Sequence, residues 1–216
     1  MAALLALFFV VTGGFVVRSG YRRCVCEREA TARLRALKAN FMTAAVGPPW
    51  LVRWLVRFNL PVLRSIGSIN DVAPAFGDSD LALLRYSTQI GNLDLDRTQV
   101  TDAGLAYLRD FANLTILKLD ETQVTDAGLA HLKALPRLRV ITLAGTSITD
   151  AGLEHLAQVD SLSWVDIQNT SVTDEGLAHL AGLANLTRVD LEGTRVTQEG
   201  IAHLKRTLPD IEIHGP

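Results

Sequence analysis

From Ile90 onward, apolar and polar positions recur every 24 residues, with units opening at Ile90, Leu114, Leu138, Leu162 and Leu186. Each unit changes period partway through. Leu93/Leu95, Leu117/Leu119, Ile141/Leu143, Val165/Ile167 and Val189/Leu191 alternate with polar residues, the two-residue period of a strand. Thr-Asp-Ala-Gly-Leu-Ala-x-Leu then predicts a short helix, with threonine as N-cap and aspartate complementing the helix dipole. Repeats four and five keep this as Thr173-Asp174-Glu175-Gly176 and Thr197-Gln198-Glu199-Gly200.

Three columns align throughout: Thr98, Thr122, Thr146, Thr170 and Thr194; Thr101, Thr125, Thr149, Thr173 and Thr197; Gly104, Gly128, Gly152, Gly176 and Gly200. A glycine inside a helix costs about 1 kcal/mol relative to alanine. A column of them therefore implies close packing, expected here of helix against sheet. The phase also runs backward, making residues 66–89 a degenerate first unit, and Leu208 to Ile213 reads as a truncated last strand. One unit cannot bury both its strand and its helix leucines. Stacked units can, with a parallel sheet on one side and helices on the other. The expected fold class is α/β: a right-handed β-α superhelix with a parallel sheet on its concave face, short helices on its convex face, and an N-terminal transmembrane helix.

The stretch LTILKLDETQVTDAGLAHLKALPR (114–137) resembles the TDAGLAHL-type leucine-rich repeats of planctomycete proteins. The resemblance covers about residues 66–213. The N-terminal apolar run followed by REATARLRALK, the Pro-Trp-Leu-x-Arg segment and the Leu-Pro ending are similar to a layout common in that group. It implies a leucine-rich-repeat fold and protein binding, and it brings no catalytic residue with it. The Thr98 column stands where many such repeats carry asparagine; its hydroxyl is expected to bond the neighbouring turn's backbone.

Before the repeats, Ala2 to Val17 carry no charge. As a helix they span roughly 24 Å against a hydrocarbon core of about 30 Å, and Arg18 and Tyr21 suit the interface. No basic residue precedes the run and no clear cleavage site follows it, which favours a single-pass anchor over a signal peptide. Residues 1–21 are read as the anchor, 22–65 as a basic helical connector and N-terminal cap, and 66–216 as the repeat domain. Residues 1–70 hold ten basic and two acidic side chains, a net of +8, and residues 71–216 a net of −10. With the positive charge after the run, the positive-inside rule places the repeats in the cytoplasm; a cleaved signal would export them. Trp50, Leu51, Trp54, Leu55 and Phe58 share one face of a short helix. That helix either caps the first repeat or lies in a membrane interface.

Cys24 and Cys26 are too few and too close for a disulfide framework, and no cofactor or metal is expected. They read as inert thiols, with acylation beside the anchor as the alternative. His131, His155, His179 and His203 form a column, but on convex helices too far apart for zinc. No phosphate loop, nucleophile elbow or metalloprotease motif is present, so no enzyme is expected.

The side chains that alternate with the strand leucines face the concave sheet. Those expected to contact a protein partner are Ile116, Lys118, Val140, Thr142, Trp164, Asp166, Arg188 and Asp190. Neighbouring strands lie about 4.8 Å apart. Ile116, Val140 and Trp164 should therefore form an apolar ridge facing solvent, bordered by Asp94, Asp96, Asp120, Asp166, Asp190 and Glu192. Such a surface suits a protein with apolar anchors and some positive charge. No nucleic acid and no small-molecule substrate is expected. The alternatives are an adaptor resembling the F-box-type leucine-rich-repeat proteins, for which residues 48–66 are the only and a poor recruiting helix, and a purely structural repeat protein.

Overall fold

In a computed structural model, residues 67–70, 72, 74–84 and 89–215 are described. The expected anchor, connector and cap lie outside these residues. Among the described residues, no helix is long and apolar enough to cross a membrane.

Seven strands form one parallel sheet, ordered as in the chain: β1 (Ser68–Ile69), β2 (Asn92–Asp94), β3 (Ile116–Lys118), β4 (Val140–Thr142), β5 (Trp164–Asp166), β6 (Arg188–Asp190) and β7 (Glu212–His214). Every pairing between these strands joins residues 24 apart, such as Ile116 with Val140 and Val140 with Trp164. Helices alternate with the strands: α1 (Asp78–Leu84), α2 (Asp102–Leu105), α3 (Asp126–Leu129), α4 (Asp150–Leu156), α5 (Asp174–His179) and α6 (Gln198–Thr207). Several continue into 3-10 turns, as at Ala106–Asp110, Leu132–Ala134 and Leu180–Gly182.

The alternation chose the buried side correctly. Leu93, Leu95, Leu117, Leu119, Ile141, Leu143, Val165, Ile167, Val189 and Leu191 are buried, as are the helix leucines of each unit. Each such burial contributes about 1.5–3 kcal/mol. The core is one continuous seam from Ile69 to Ile211.

Past the strands, the backbone ladder continues through the turns. Arg97 N–H donates to Asp120 O (2.8 Å), Glu121 to Ala144 O (2.8 Å), Gly145 to Gln168 O (2.9 Å) and Asn169 to Glu192 O (2.7 Å). This column has positive φ: Arg97 (56°), Glu121 (54°), Gly145 (68°), Asn169 (54°) and Gly193 (72°). Three of its five residues are glycine or asparagine, the types that adopt this conformation most readily.

Two columns work differently from expectation. The Thr98, Thr122, Thr146, Thr170 and Thr194 hydroxyls do not reach the neighbouring coil. Each donates at 2.6–2.7 Å to the carbonyl three residues earlier, closing its own strand-to-turn bend. The helix aspartates do bridge coils. In five successive pairs, Asp78–Thr101 to Asp174–Thr197, the later threonine donates its N–H to one carboxylate oxygen and its hydroxyl to the other, all at 2.6–2.8 Å. In Thr101, Thr173 and Thr197 the same hydroxyl accepts from the helix it caps. The Thr197 bonds hold the Asp174 carboxyl below the usual carboxylate range.

These aspartates also explain the glycine column. A Cβ on Gly104, Gly128, Gly152, Gly176 or Gly200 would collide with Oδ1 of Asp78, Asp102, Asp126, Asp150 or Asp174 respectively. The close approach is thus to the preceding coil's carboxylate, not to the sheet. The sequence set the glycine and the aspartate in one motif; stacking places each against its neighbour's copy.

Candidate functional site

The face of the sheet turned away from the helices carries the side chains that the core does not use. All eight expected contact residues lie on it, in two rows. Ile116, Val140, Trp164 and Arg188 are consecutive partners in register, and so are Lys118, Thr142, Asp166 and Asp190. In the first row all four are half-buried. In the second, Lys118 and Asp166 are half-buried, but Thr142 is 5% and Asp190 1% exposed.

Asp190 was expected among the solvent-facing acids, and its burial corrects that reading. Trp164 donates its indole N–H to Asp190 Oδ2 at 2.7 Å. Arg188 donates Nε to both Asp190 oxygens at 3.1 Å and lies over the indole, 4.5 Å from the ring centroid. A buried carboxylate requires such partners. The indole is therefore a fixed member of a three-residue cluster, stacked under a guanidinium, and not the bare end of a ridge. Ile116 and Val140 remain as the open apolar part. Thr142 Oγ1 is buried with no hydrogen-bond partner among the described residues.

The acids divide by environment. Asp94 pairs with Lys118 at 3.1 Å, and this bond chiefly raises the lysine pKa. Asp96 is pushed up to about 6: burial is the main cause, Asp120 and Asp94 add to it, and the Asp120 N–H and Lys118 oppose it. The Asp120 N–H meets Asp96 Oδ1 at 2.9 Å, and Asp120 in turn receives the Ala144 N–H at 2.8 Å. Burial also raises Asp166, with Asp120 and Asp190 adding repulsion; the Gln168 N–H and Arg188 oppose it. Carboxylates held above their usual range gain from a cation brought to the surface.

Alternation alone does not reveal the strand-entry edge. There a groove of about 860 Å³ opens beside Ile116 and Val140 and is walled by Arg137 and Arg139. The signal for it was the residues just before each strand, which the two-residue pattern does not sort into faces.

On the helical side, His131, His179 and His203 are exposed and His155 half-buried. Among the described residues, no group of acidic, histidine or cysteine side chains is arranged to hold a metal ion.

The sequence matches no protein-family model and no curated protein. Solved structures do match. An internalin C2 of Listeria monocytogenes is 25% identical with a TM-score of 0.52, covering 62% of this chain and 55% of its own. Another internalin of that organism is 19% identical with a TM-score of 0.50, covering 71% and 49%. A leucine-rich-repeat protein of Leptospira interrogans is 16% identical with a TM-score of 0.52, covering 70% and 38%. The matched region thus spans between 38% and 55% of the length of these proteins. The parallel-sheet repeat fold is that of leucine-rich-repeat proteins.

Proposed function

We propose that this protein is a membrane-tethered, non-catalytic interaction protein that holds a protein partner on the outer face of its sheet. The observation that carries the reading is the first row of that face. Ile116 and Val140 stand half-exposed, side by side, next to a stacked tryptophan–arginine pair, with a salt-bridged lysine in the adjacent row, and the core needs neither of them. Side chains of this kind, fixed by their neighbours, lose little entropy on binding. The acids beside them favour a partner with positive charge near its apolar anchors. The solved leucine-rich-repeat structures support an interaction role at the level of the fold.

The tether rests on the uncharged run from Ala2 to Val17 and the basic residues after it. Membrane fractionation with protease protection tests it: sedimentation with membranes and protection of an intact repeat domain in sealed inverted vesicles would contradict the cytoplasmic placement. Affinity capture with the full chain tests the face. A partner retained by the wild type should be lost with Ile116→Glu or Val140→Glu and kept with His179→Glu. Equal retention by all four would remove the sheet face from the account.

A further inference from the structure

The groove at the strand-entry edge differs in charge from the rest of the repeat domain. Residues 71–216 carry a net of −10, yet among the described residues the lining of this groove includes two arginines and no carboxylate. Its apolar part is Ile116, Val140 and Pro136, so it opens directly off the apolar row of the outer face. Arg137 is held at its rim by Asn113, whose Oδ1 accepts from the guanidinium at 2.9 Å. Arg139 is exposed and enters no ion pair among the described residues.

The polar wall is oriented as well. Ser163 donates its hydroxyl to Arg139 O at 3.1 Å, and Ser161 donates to Leu138 O at 2.7 Å. Their hydroxyl protons are committed to the preceding coil, so they offer lone pairs to the groove and accept from a ligand's N–H. Across the sheet, the surface therefore runs from guanidinium groups, through an apolar floor, to the carboxylates of Asp94, Asp96, Asp120 and Asp166.

We propose that this groove seats an acidic peptide segment of the partner, with an apolar side chain against Ile116 and Val140 and a neighbouring carboxylate on Arg139 and Arg137. The inference rests on the sheet face being a partner surface and adds the orientation of that partner. Its acidic end lies over the strand starts, and its positive charge lies toward the strand ends. Guanidinium groups suit the task because their forked donors match a carboxylate. Opposite charges at the two edges would fix one binding direction and penalise its reverse.

The test uses the full chain and two defined probes. One is a biotinylated peptide, Gly-Asp-Asp-Leu-Gly, whose leucine carries a photoreactive diazirine; the other has lysine in place of both aspartates. After irradiation, labelled positions are mapped by mass spectrometry. The proposal expects the aspartate probe to label residues around Ile116, Val140 and Ser163 about tenfold more than the lysine probe. Arg139→Gln should reduce that preference and Arg139→Glu remove it, with thermal unfolding unchanged because the side chain is exposed. Equal labelling by both probes, or a preference that Arg139→Glu leaves intact, would overturn the proposal. Labelling of the sheet face away from the groove would overturn it too, while leaving the face as a partner surface.

Discussion

Asp150 and Thr173, 23 residues apart, are joined twice: the threonine donates its N–H to Oδ1 and its hydroxyl to Oδ2, each at 2.8 Å. The bond belongs to neither coil alone. It forms when two coils stack, so it couples the stability of one repeat to the next. Asp150→Ala leaves the N–H and hydroxyl of Thr173 without their acceptor, and Thr173→Val removes one of the two bonds. Each should cost on the order of 1–3 kcal/mol in urea unfolding. The double variant should cost clearly less than the sum, because both changes delete the same link.

Gly176 faces that same carboxylate. An added Cβ would meet Asp150 Oδ1 and come within 2.9 Å of Asp150 Cα. In an exposed helix, glycine to alanine stabilises by up to about 1 kcal/mol. Here Gly176→Ala should instead destabilise by about 1–3 kcal/mol in the same unfolding measurement, because the backbone of the previous coil has to shift. Gly182 is a useful control, since among the described residues nothing lies within 4 Å of the Cβ it would gain. Gly182→Ala should be tolerated.

The turn column gives a pair of opposite outcomes. Gly193 has φ +72°, and its added Cβ would meet Asn169 Oδ1, so Gly193→Ala should lower the melting temperature by several degrees. Glu121 already holds φ 54° with a full side chain. Glu121→Gly relieves a left-handed strain of about 1–2 kcal/mol against an entropy cost of about 0.5–1 kcal/mol. It also gives up an exposed ion pair with Arg97 at 3.5 Å, which contributes little. The expected result is an unchanged or slightly raised melting temperature.

Asp96 and Asp174 respond to pH in opposite senses. With its pKa pushed up to about 6, Asp96 binds its proton more tightly when folded than when unfolded. Its stabilising contribution is present below the unfolded value of about 3.9 and is lost as pH rises through about 6. Asp174 is held low, so its contribution is present at neutral pH and is lost as pH falls through its folded pKa. Asp96→Asn keeps an acceptor for the Asp120 N–H and removes the charge. It should raise stability at pH 7 by up to about 1 kcal/mol, after allowing for solvent screening, and flatten the pH dependence between 4 and 6.

Repetition made much of this fold legible. A single Leu-x-Leu or Thr-Asp-Ala-Gly is a weak signal, but copies at a spacing of 24 residues fix strands, helices and buried positions together. Relations between coils were harder to see. The aspartate already had a local explanation at its own helix start, so nothing in one unit pointed to a threonine 23 residues later. The glycine column had the right cause, close approach, with the wrong neighbour.

The outer face was read in correct register, because alternation decides which side a residue takes. It does not decide depth. Asp190 is buried because Trp164 and Arg188 cover it from an adjacent strand and from two residues away. Such coverage depends on side-chain direction, which periodicity does not carry. Arg139 precedes its strand by one residue, where the alternation has not begun, so the two-residue pattern assigns it to neither face.

The most direct test of the account is hydroxyl-radical footprinting of the full chain, free and bound to the partner it captures. Ile116, Val140 and Trp164 should be protected, with His131, His179 and Tyr107 on the helical side labelled equally in both states. Protection confined to the helical side, with the sheet residues unchanged, would contradict it.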